Sequence, residues 1–255
     1  MLMEILTWVV GIGRSDVAHA NSYLSRFFAC PREGHLARAF RVFGFLKKRP
    51  NRRYVVDSMD PILREGEEAL GKDFTQELGA IYPDAYKELD PNLPTSLVEE
   101  ISITVLVDSD HGNDQVTRRS ITGLIAFLDR TPAFYLSKGQ GAIKTSTYSA
   151  EFCAMKTGVE ETIAIRYMMQ CLGVNVETAS LICGDNMEVI QNSTIKLGLL
   201  KKKHVAISYH KTREAFASGT VNPIKTDGTI NYANVLMKYQ YLKTFQLITG
   251  SYFYG

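Results

Sequence analysis

The chain has 255 residues, of which 45% are hydrophobic and 22% charged, with a formal net charge of +2. This length and hydrophobic content suffice for one large domain, or for one domain with an appendage. The small net charge excludes a generally basic nucleic-acid-binding chain, so any surface for nucleic acid would have to be local.

A short apolar run at 5–12 is followed by Ala18-His19-Ala20, which is similar to a signal-peptidase site. However, Glu4 rather than a basic residue precedes the run, and the run is far shorter than the ~20 residues that span a membrane. The four cysteines are scattered and form no C-x-x-C pair, which is typical of reduced thiols. We therefore expect a protein of a reducing compartment that is neither secreted nor inserted in a membrane.

The chain divides into three predicted zones. Residues 1–56 contain two amphipathic helices that end at Pro31 and Pro50, a hairpin too small to be a domain alone. Residues 57–100 are acidic and punctuated by prolines, as in a connecting segment with room for one helix. Residues 101–255 have the mixed texture of an α/β domain.

The third zone, residues 101–255, contains segments with the periodicity of strands and segments with the periodicity of helices. In chain order we predict strands at 101–108, 121–128 and 133–136, a long helix at 149–172, a strand at 179–183, a helix at 204–218, a strand at 221–224 and a last helix at 231–245. Three strands and a helix, followed by alternating strands and helices, predict a mixed five-stranded sheet flanked by helices.

Three acidic residues stand where these elements begin or end. Asp108 closes the first strand, Glu151 lies in the first turn of the long helix, and Asp185 follows the fourth strand. A sheet covered by helices can bring such residues together, and clustered carboxylates repel one another unless cations neutralise them. Oxygen ligands favour Mg²⁺ or Mn²⁺ over zinc. The alternative is that each acid is a solvated or capping residue, and the helix dipole alone would explain Glu151.

The motifs around these acids resemble the ribonuclease H of copia-type LTR retrotransposons. The matching blocks follow one another in the family's order: Val107 to Asp114 with Arg118-Arg119-Ser120, Ser137-Lys138 with Ala150-Glu151-Phe152, Gly184-Asp185-Asn186, and Lys202-Lys203-His204 with Tyr209-His210 and Arg213-Glu214. The first zone resembles the carboxyl-terminal end of the same polyprotein's reverse transcriptase, through Gly13-Arg14, Leu24-Ser25 and Phe45-Leu46-Lys47. The polymerase palm with its paired aspartates has no counterpart, so this chain is not expected to copy nucleic acid alone.

This resemblance implies a ribonuclease H-like α/β fold and a metal-dependent endonuclease that cuts the RNA of RNA–DNA hybrids. By position, Asp108, Glu151 and Asp185 match three of the family's four metal-binding carboxylates. The fourth belongs to an A-D-x-x-T-K motif, which here reads from Ala233 to Lys238, and Asn234 replaces its aspartate. A neutral amide offers one oxygen but lacks the charge that offsets a dication, so Asn234 is expected to impair the site.

The resemblance also implies the partners. These are an RNA–DNA hybrid and the rest of the retrotransposon polyprotein, in the cytoplasm, with a virus-like particle or the nucleus as alternative locations. Basic residues in two places are expected to contact phosphates: Arg118, Arg119, Lys201, Lys202 and Lys203. The alternative, equally favoured, is that these residues are solvated surface positions. A second hypothesis, motivated by Asn234, is a degenerate or co-opted domain that binds nucleic acid or protein without cutting.

Overall fold

The computed structural model describes residues 1–59, 74–87, 92–96, 99–114, 116–196, 205–229 and 231–254. The amino-terminal part contains α1 (Leu2–Gly11), a 3₁₀ turn (Ser15–Val17), α2 (Ala18–Ser25), α3 (Glu33–Lys48) and the short strand β1 (Arg53–Tyr54). One short helix, α4 (Phe74–Gly79), follows in the acidic connector.

The remaining elements form the α/β part. They are β2 (Ile103–Asp110), β3 (Ile121–Leu128), β4 (Thr131–Gly139), α5 (Thr147–Cys171), β5 (Ser180–Gly184), α6 (Met187–Thr194), α7 (Ala206–Ala217), β6 (Val221–Lys225), a 3₁₀ helix (Tyr232–Leu236), α8 (Leu242–Thr249) and β7 (Phe253–Tyr254). No helix in the described ranges is both long and apolar enough to cross a bilayer.

Five strands form one mixed sheet in the order β4-β3-β2-β5-β6. The pairs β4–β3 and β3–β2 are antiparallel, whereas β2–β5 and β5–β6 are parallel. The predicted fold class, a mixed five-stranded sheet flanked by helices, is confirmed. β2 lies at the centre, so the residues at its carboxyl end are surrounded by other elements.

The sheet is covered on both faces, which explains why β2 is buried along almost its whole length. Its alternating residues Ile103, Val105 and Val107 belong to one core cluster with side chains of α5, as the predicted alternation requires. Leu106 points the other way, into a second cluster with residues of α2, the 3₁₀ helix and α8.

α5 lies close against the sheet at Gly158. A β-carbon built there would lie 2.5 Å from Cγ1 of Val107 and 2.8 Å from Cδ1 of Ile182. We expect Gly158→Ala to destabilise the protein by about 1–3 kcal/mol because it overpacks this contact. Gly44→Ala in α3 is the matched control. Nothing lies within 4 Å of its β-carbon position, so that change should stabilise α3 by about 0.5–1 kcal/mol. Equal urea midpoints for the two variants would contradict this account.

The amino-terminal part is attached to the far end of the chain. β1 pairs antiparallel with β7, with Arg53 opposite Tyr254. The Arg52 side chain is buried between two contacts: its Nη1 lies 3.4 Å from Oδ2 of Asp16, and its Nη2 donates to Oγ1 of Thr249. The predicted division at residues 56 and 100 stays a prediction, but residues 1–56 pack against the α/β part through these buried groups.

Two helical features differ from the prediction. Residues 5–11 of the apolar run belong to α1, a helix that was not predicted, and its Leu6 is buried with residues of α2 and α3. The predicted last helix at 231–245 is instead a 3₁₀ helix followed by α8. The Asn231 side chain accepts a hydrogen bond from the Ala233 amide and donates to the Val107 carbonyl, which fixes the turn against the sheet. Tertiary packing thus overrides the local helical pattern.

Candidate metal centre

The three predicted acids meet at one place. Asp108 lies near the end of β2, Glu151 is the fifth residue of α5, and Asp185 directly follows β5. One oxygen from each carboxylate lies within 4.8 Å of the others. Because α5 begins two residues earlier than predicted, Glu151 lies beyond the first turn, where the helix dipole has little effect. The dipole therefore does not explain Glu151.

The sheet topology explains this convergence. β2 and β5 are parallel neighbours, with Leu106 opposite Cys183. Asp108 and Asp185 each stand two residues further on, so both reach the same edge of the sheet. α5 packs across β2 and brings Glu151 over that edge.

Burial and mutual repulsion set the electrostatics of the cluster. Asp108 is only 3% exposed, and burial followed by the charge of Asp185 raises its pKa to about 7. Burial, then the charges of Asp108 and Asp185, raise the pKa of Glu151 to about 9. Oδ1 of Asp108 accepts a hydrogen bond from the Ser109 amide at 2.7 Å. Its Oδ2 accepts none from any described residue.

Sequence reasoning missed one residue of this site. Nζ of Lys238 lies 3.6 Å from Oδ2 of Asp108, and this ion pair opposes the rise of the Asp108 pKa. Lys238 stands at the lysine of the A-D-x-x-T-K motif, so the motif contained the signal. It was overlooked because the segment was expected to continue as a regular helix.

Asn234 lies beside the cluster, on the 3₁₀ helix. It is 3% exposed, and its Nδ2 donates to the Gly228 carbonyl at 2.6 Å. Gly228 in turn abuts Asp185, because a β-carbon there would lie 2.5 Å from Oδ2 of Asp185. Within the described ranges, Oδ1 of Asn234 has no hydrogen-bond partner.

Only some of the predicted phosphate-binding residues lie in the described part of the chain. Arg118 and Arg119 are exposed in the loop between β2 and β3, where Arg118 has a φ of 57° and its amide donates to the Asp114 carbonyl. Asp114 also accepts hydrogen bonds from the amides of Val116 and Thr117, as a turn residue does. The lysines at 201–203 lie outside the described residues.

The donor set fits a hard divalent cation. Three carboxylates supply oxygen ligands from three elements. Two buried oxygens, Oδ2 of Asp108 and Oδ1 of Asn234, accept no hydrogen bond from the part of the chain that the structure describes. A buried oxygen that accepts no hydrogen bond is costly, and a cation bound by the cluster would satisfy Oδ2 of Asp108, which otherwise faces the Lys238 ammonium at 3.6 Å.

The cluster predicts how stability varies with pH. An acid whose pKa is raised on folding stabilises the folded state at low pH, and that contribution is lost as the pH rises through the folded pKa. We therefore expect the metal-free protein to lose about 2 kcal/mol of unfolding free energy between pH 7 and pH 9, chiefly through Glu151. His19, whose pKa burial lowers to about 4, acts only below this window. Urea titrations should show the loss for the wild type and not for Glu151→Gln. A wild-type stability that rises across this window would contradict the assignment.

The chain is similar in sequence to known retrotransposon Pol polyproteins. No protein-family profile matches the chain. It is 22% identical over 225 residues to the Retrovirus-related Pol polyprotein from transposon RE1 of Arabidopsis thaliana, and 23% identical to that from transposon TNT 1-94 of Nicotiana tabacum. The predicted relationship to retrotransposon Pol polyproteins is confirmed. Both alignments cover 88% of the chain but only 13% and 14% of these relatives.

Three solved structures, two of RNases H and one of a viral protease-reverse transcriptase, are similar to part of the chain at low identity. The amino-terminal RNase H domain of a Mycobacterium tuberculosis protein is 15% identical, with a TM-score of 0.39 over 59% of this chain and 96% of that one. LC11-RNase H1 from compost is 11% identical, with a TM-score of 0.43 over 53% and 92%. The foamy viral protease-reverse transcriptase in complex with RNA/DNA hybrid is 10% identical, with a TM-score of 0.34 over 55% and 19%.

Proposed function

We propose that this chain is the ribonuclease H unit of a copia-type retrotransposon Pol polyprotein, and that it hydrolyses the RNA strand of RNA–DNA hybrids. The observation that carries the proposal is the convergence of Asp108, Glu151 and Asp185 within 4.8 Å from three separate elements. The similarity to Pol polyproteins supports the same assignment. The remainder of the polyprotein would be its covalent partner, in the cytoplasm, a virus-like particle or the nucleus.

Asp108, Glu151 and Asp185 would hold Mg²⁺ or Mn²⁺. When bound, such cations polarise the phosphodiester and lower the pKa of the attacking water. The chain's own residues prepare the site. The Ser109 amide fixes one oxygen of Asp108, and the other accepts no hydrogen bond from the described residues. Because burial and the neighbouring charges raise the pKa of Glu151, cation binding should favour its ionised form and release protons.

A cleavage assay with the full chain tests this function. Labelled RNA–DNA hybrid, double-stranded RNA and double-stranded DNA are incubated with Mg²⁺, with Mn²⁺ and with EDTA. We expect cutting of the hybrid's RNA strand alone, leaving a 5′-phosphate, and none in EDTA. Cutting in EDTA, or equal cutting of all three duplexes, would overturn the proposal.

The second candidate is a domain that binds hybrids without cutting them. The observation that favours it is the neutral Asn234 amide, whose Nδ2 is already engaged with the Gly228 carbonyl. For this candidate we expect a separate binding assay to show retention of the hybrid, and the cleavage assay to give no product with either metal.

Arg118 and Arg119 are proposed to contact the hybrid's backbone. We expect the double change Arg118→Ala and Arg119→Ala to weaken hybrid binding and to lower the slope of log affinity against log salt by about 1 per lost contact. Arg41→Ala, which removes an exposed arginine of α3, is the charge-matched control for one such loss. Fluorescence anisotropy across a salt series measures both quantities, and an unchanged slope would exclude phosphate contact at these arginines.

A further inference from the structure

Lys238 is held close to the acidic cluster by a well-packed backbone. Its amide donates to the Asn234 carbonyl at 3.2 Å, at the end of the 3₁₀ helix. That helix lies directly on β3: a β-carbon on Gly123 would lie 2.6 Å from the Ala233 carbonyl oxygen. The position of the Lys238 backbone is therefore fixed relative to Asp108, which pairs with Gly123 across β2 and β3.

The Lys238 side chain reaches the cluster from the solvent side. It is 42% exposed, whereas the Asp108 side chain is 4% exposed. Its ammonium nitrogen lies 3.6 Å from the Asp108 oxygen that accepts no hydrogen bond from the described residues. The most buried carboxylate thus faces a cation that belongs to the protein and that has room to move away.

The charges of the site limit how many divalent cations it can bind. With the three carboxylates ionised, the ammonium leaves a net charge of −2, which one divalent cation balances. Asn234 adds no negative charge that would offset a second cation. An uncompensated charge in a buried site is strongly disfavoured, so a second dication beside the ammonium is disfavoured too.

We propose that Lys238 is a built-in counter-ion of the cluster, so that the free chain binds one divalent cation and the ammonium competes with it for Asp108. This rests on the proposed function, because it assumes that the cluster is a metal site. It goes further by assigning a competing role to a residue of the chain and a stoichiometry to the site.

The test measures Mn²⁺ binding to the full chain without nucleic acid, by calorimetry at one fixed pH. We expect one Mn²⁺ per wild-type chain and binding tighter by about tenfold or more in Lys238→Met, because a positive charge about 4 Å from the ligand is removed. Lys238→Arg keeps the charge and should bind like the wild type. Lys243→Met removes an exposed lysine of α8 and should also leave binding unchanged.

A second readout excludes an unspecific effect of the substitution. In EDTA, Lys238→Met should unfold at a lower temperature than the wild type, and saturating Mn²⁺ should remove the difference. Equal Mn²⁺ affinity in Lys238→Met and the wild type would overturn the inference while leaving the proposed function intact, as would two Mn²⁺ ions on the wild type. Absence of Mn²⁺ binding in every variant would overturn both.

Discussion

Asp108→Asn is expected to reduce hybrid cleavage by at least about 100-fold, more than the loss typical of changes next to a metal ligand. The reason is that Asp108 is the most buried carboxylate of the cluster, and one of its oxygens lies within 4.8 Å of an oxygen of Glu151 and of Asp185. The Asn side chain keeps the oxygen that accepts from the Ser109 amide, so the fold is expected to survive. Product formation under single-turnover conditions measures the effect.

The Asp108→Asn variant has a matched control on the neighbouring helix. Glu188→Gln makes the same chemical change at an exposed position of α6, outside the cluster, and should leave the cleavage rate unchanged. The stability of Asp108→Asn provides a separate check. Because a buried carboxylate is removed, the metal-free variant should be at least as resistant to urea as the wild type above pH 7. Cleavage at the wild-type rate by Asp108→Asn would remove Asp108 from the reaction.

Asn234→Asp is expected to have opposite effects with and without metal. The wild-type amide donates to the Gly228 carbonyl at 2.6 Å. A carboxylate there would lose that bond and add a fourth acid near Asp185, so the metal-free protein should lose about 1–3 kcal/mol of stability. With Mg²⁺ the extra charge should strengthen cation binding and raise cleavage, since the resemblance places an aspartate at this position.

The two effects of Asn234→Asp are measured by unfolding in EDTA and in Mg²⁺, and by the cleavage rate. Asn192→Asp is the control, because its Nδ2 also donates to a backbone carbonyl, that of Glu188, but at a half-buried position of α6 outside the acidic cluster. It should change neither quantity by much. If Asn234→Asp lowers stability equally in EDTA and in Mg²⁺ and cleavage does not rise, Asn234 is a structural residue and not a weakened ligand.

Most strands of the sheet, and the positions of its acidic residues, could be predicted from the sequence. The reason is that the sheet is covered on both faces, so its strands show clear apolar patterns. The β-branched alternation of β2 marked its core-facing residues correctly, and the strand ends placed Asp108 and Asp185 side by side. The cluster could be expected because parallel neighbours deliver their carboxyl ends to one edge. These features depend on local patterns that the surrounding structure reinforces.

The interrupted last helix could not be predicted in the same way. It depends on Asn231, whose side chain donates to the Val107 carbonyl more than a hundred residues away in sequence. The helical periodicity of a short segment cannot predict such a long-range contact. α1 was missed for a related reason: its helix is stabilised by the packing of Leu6 against α2 and α3, which the local sequence does not show.

The pairing of β1 with β7 ties together two stretches that lie about two hundred positions apart. Any break of the polypeptide between β1 and β2 would leave two fragments still joined by this ladder and by the buried guanidinium of Arg52. A cleavage of the chain between β1 and β2 is therefore not expected to separate the amino-terminal part from the α/β part. A shortened version that starts at β2 would expose the apolar side of the sheet now covered by α2, and would dissolve poorly for that reason.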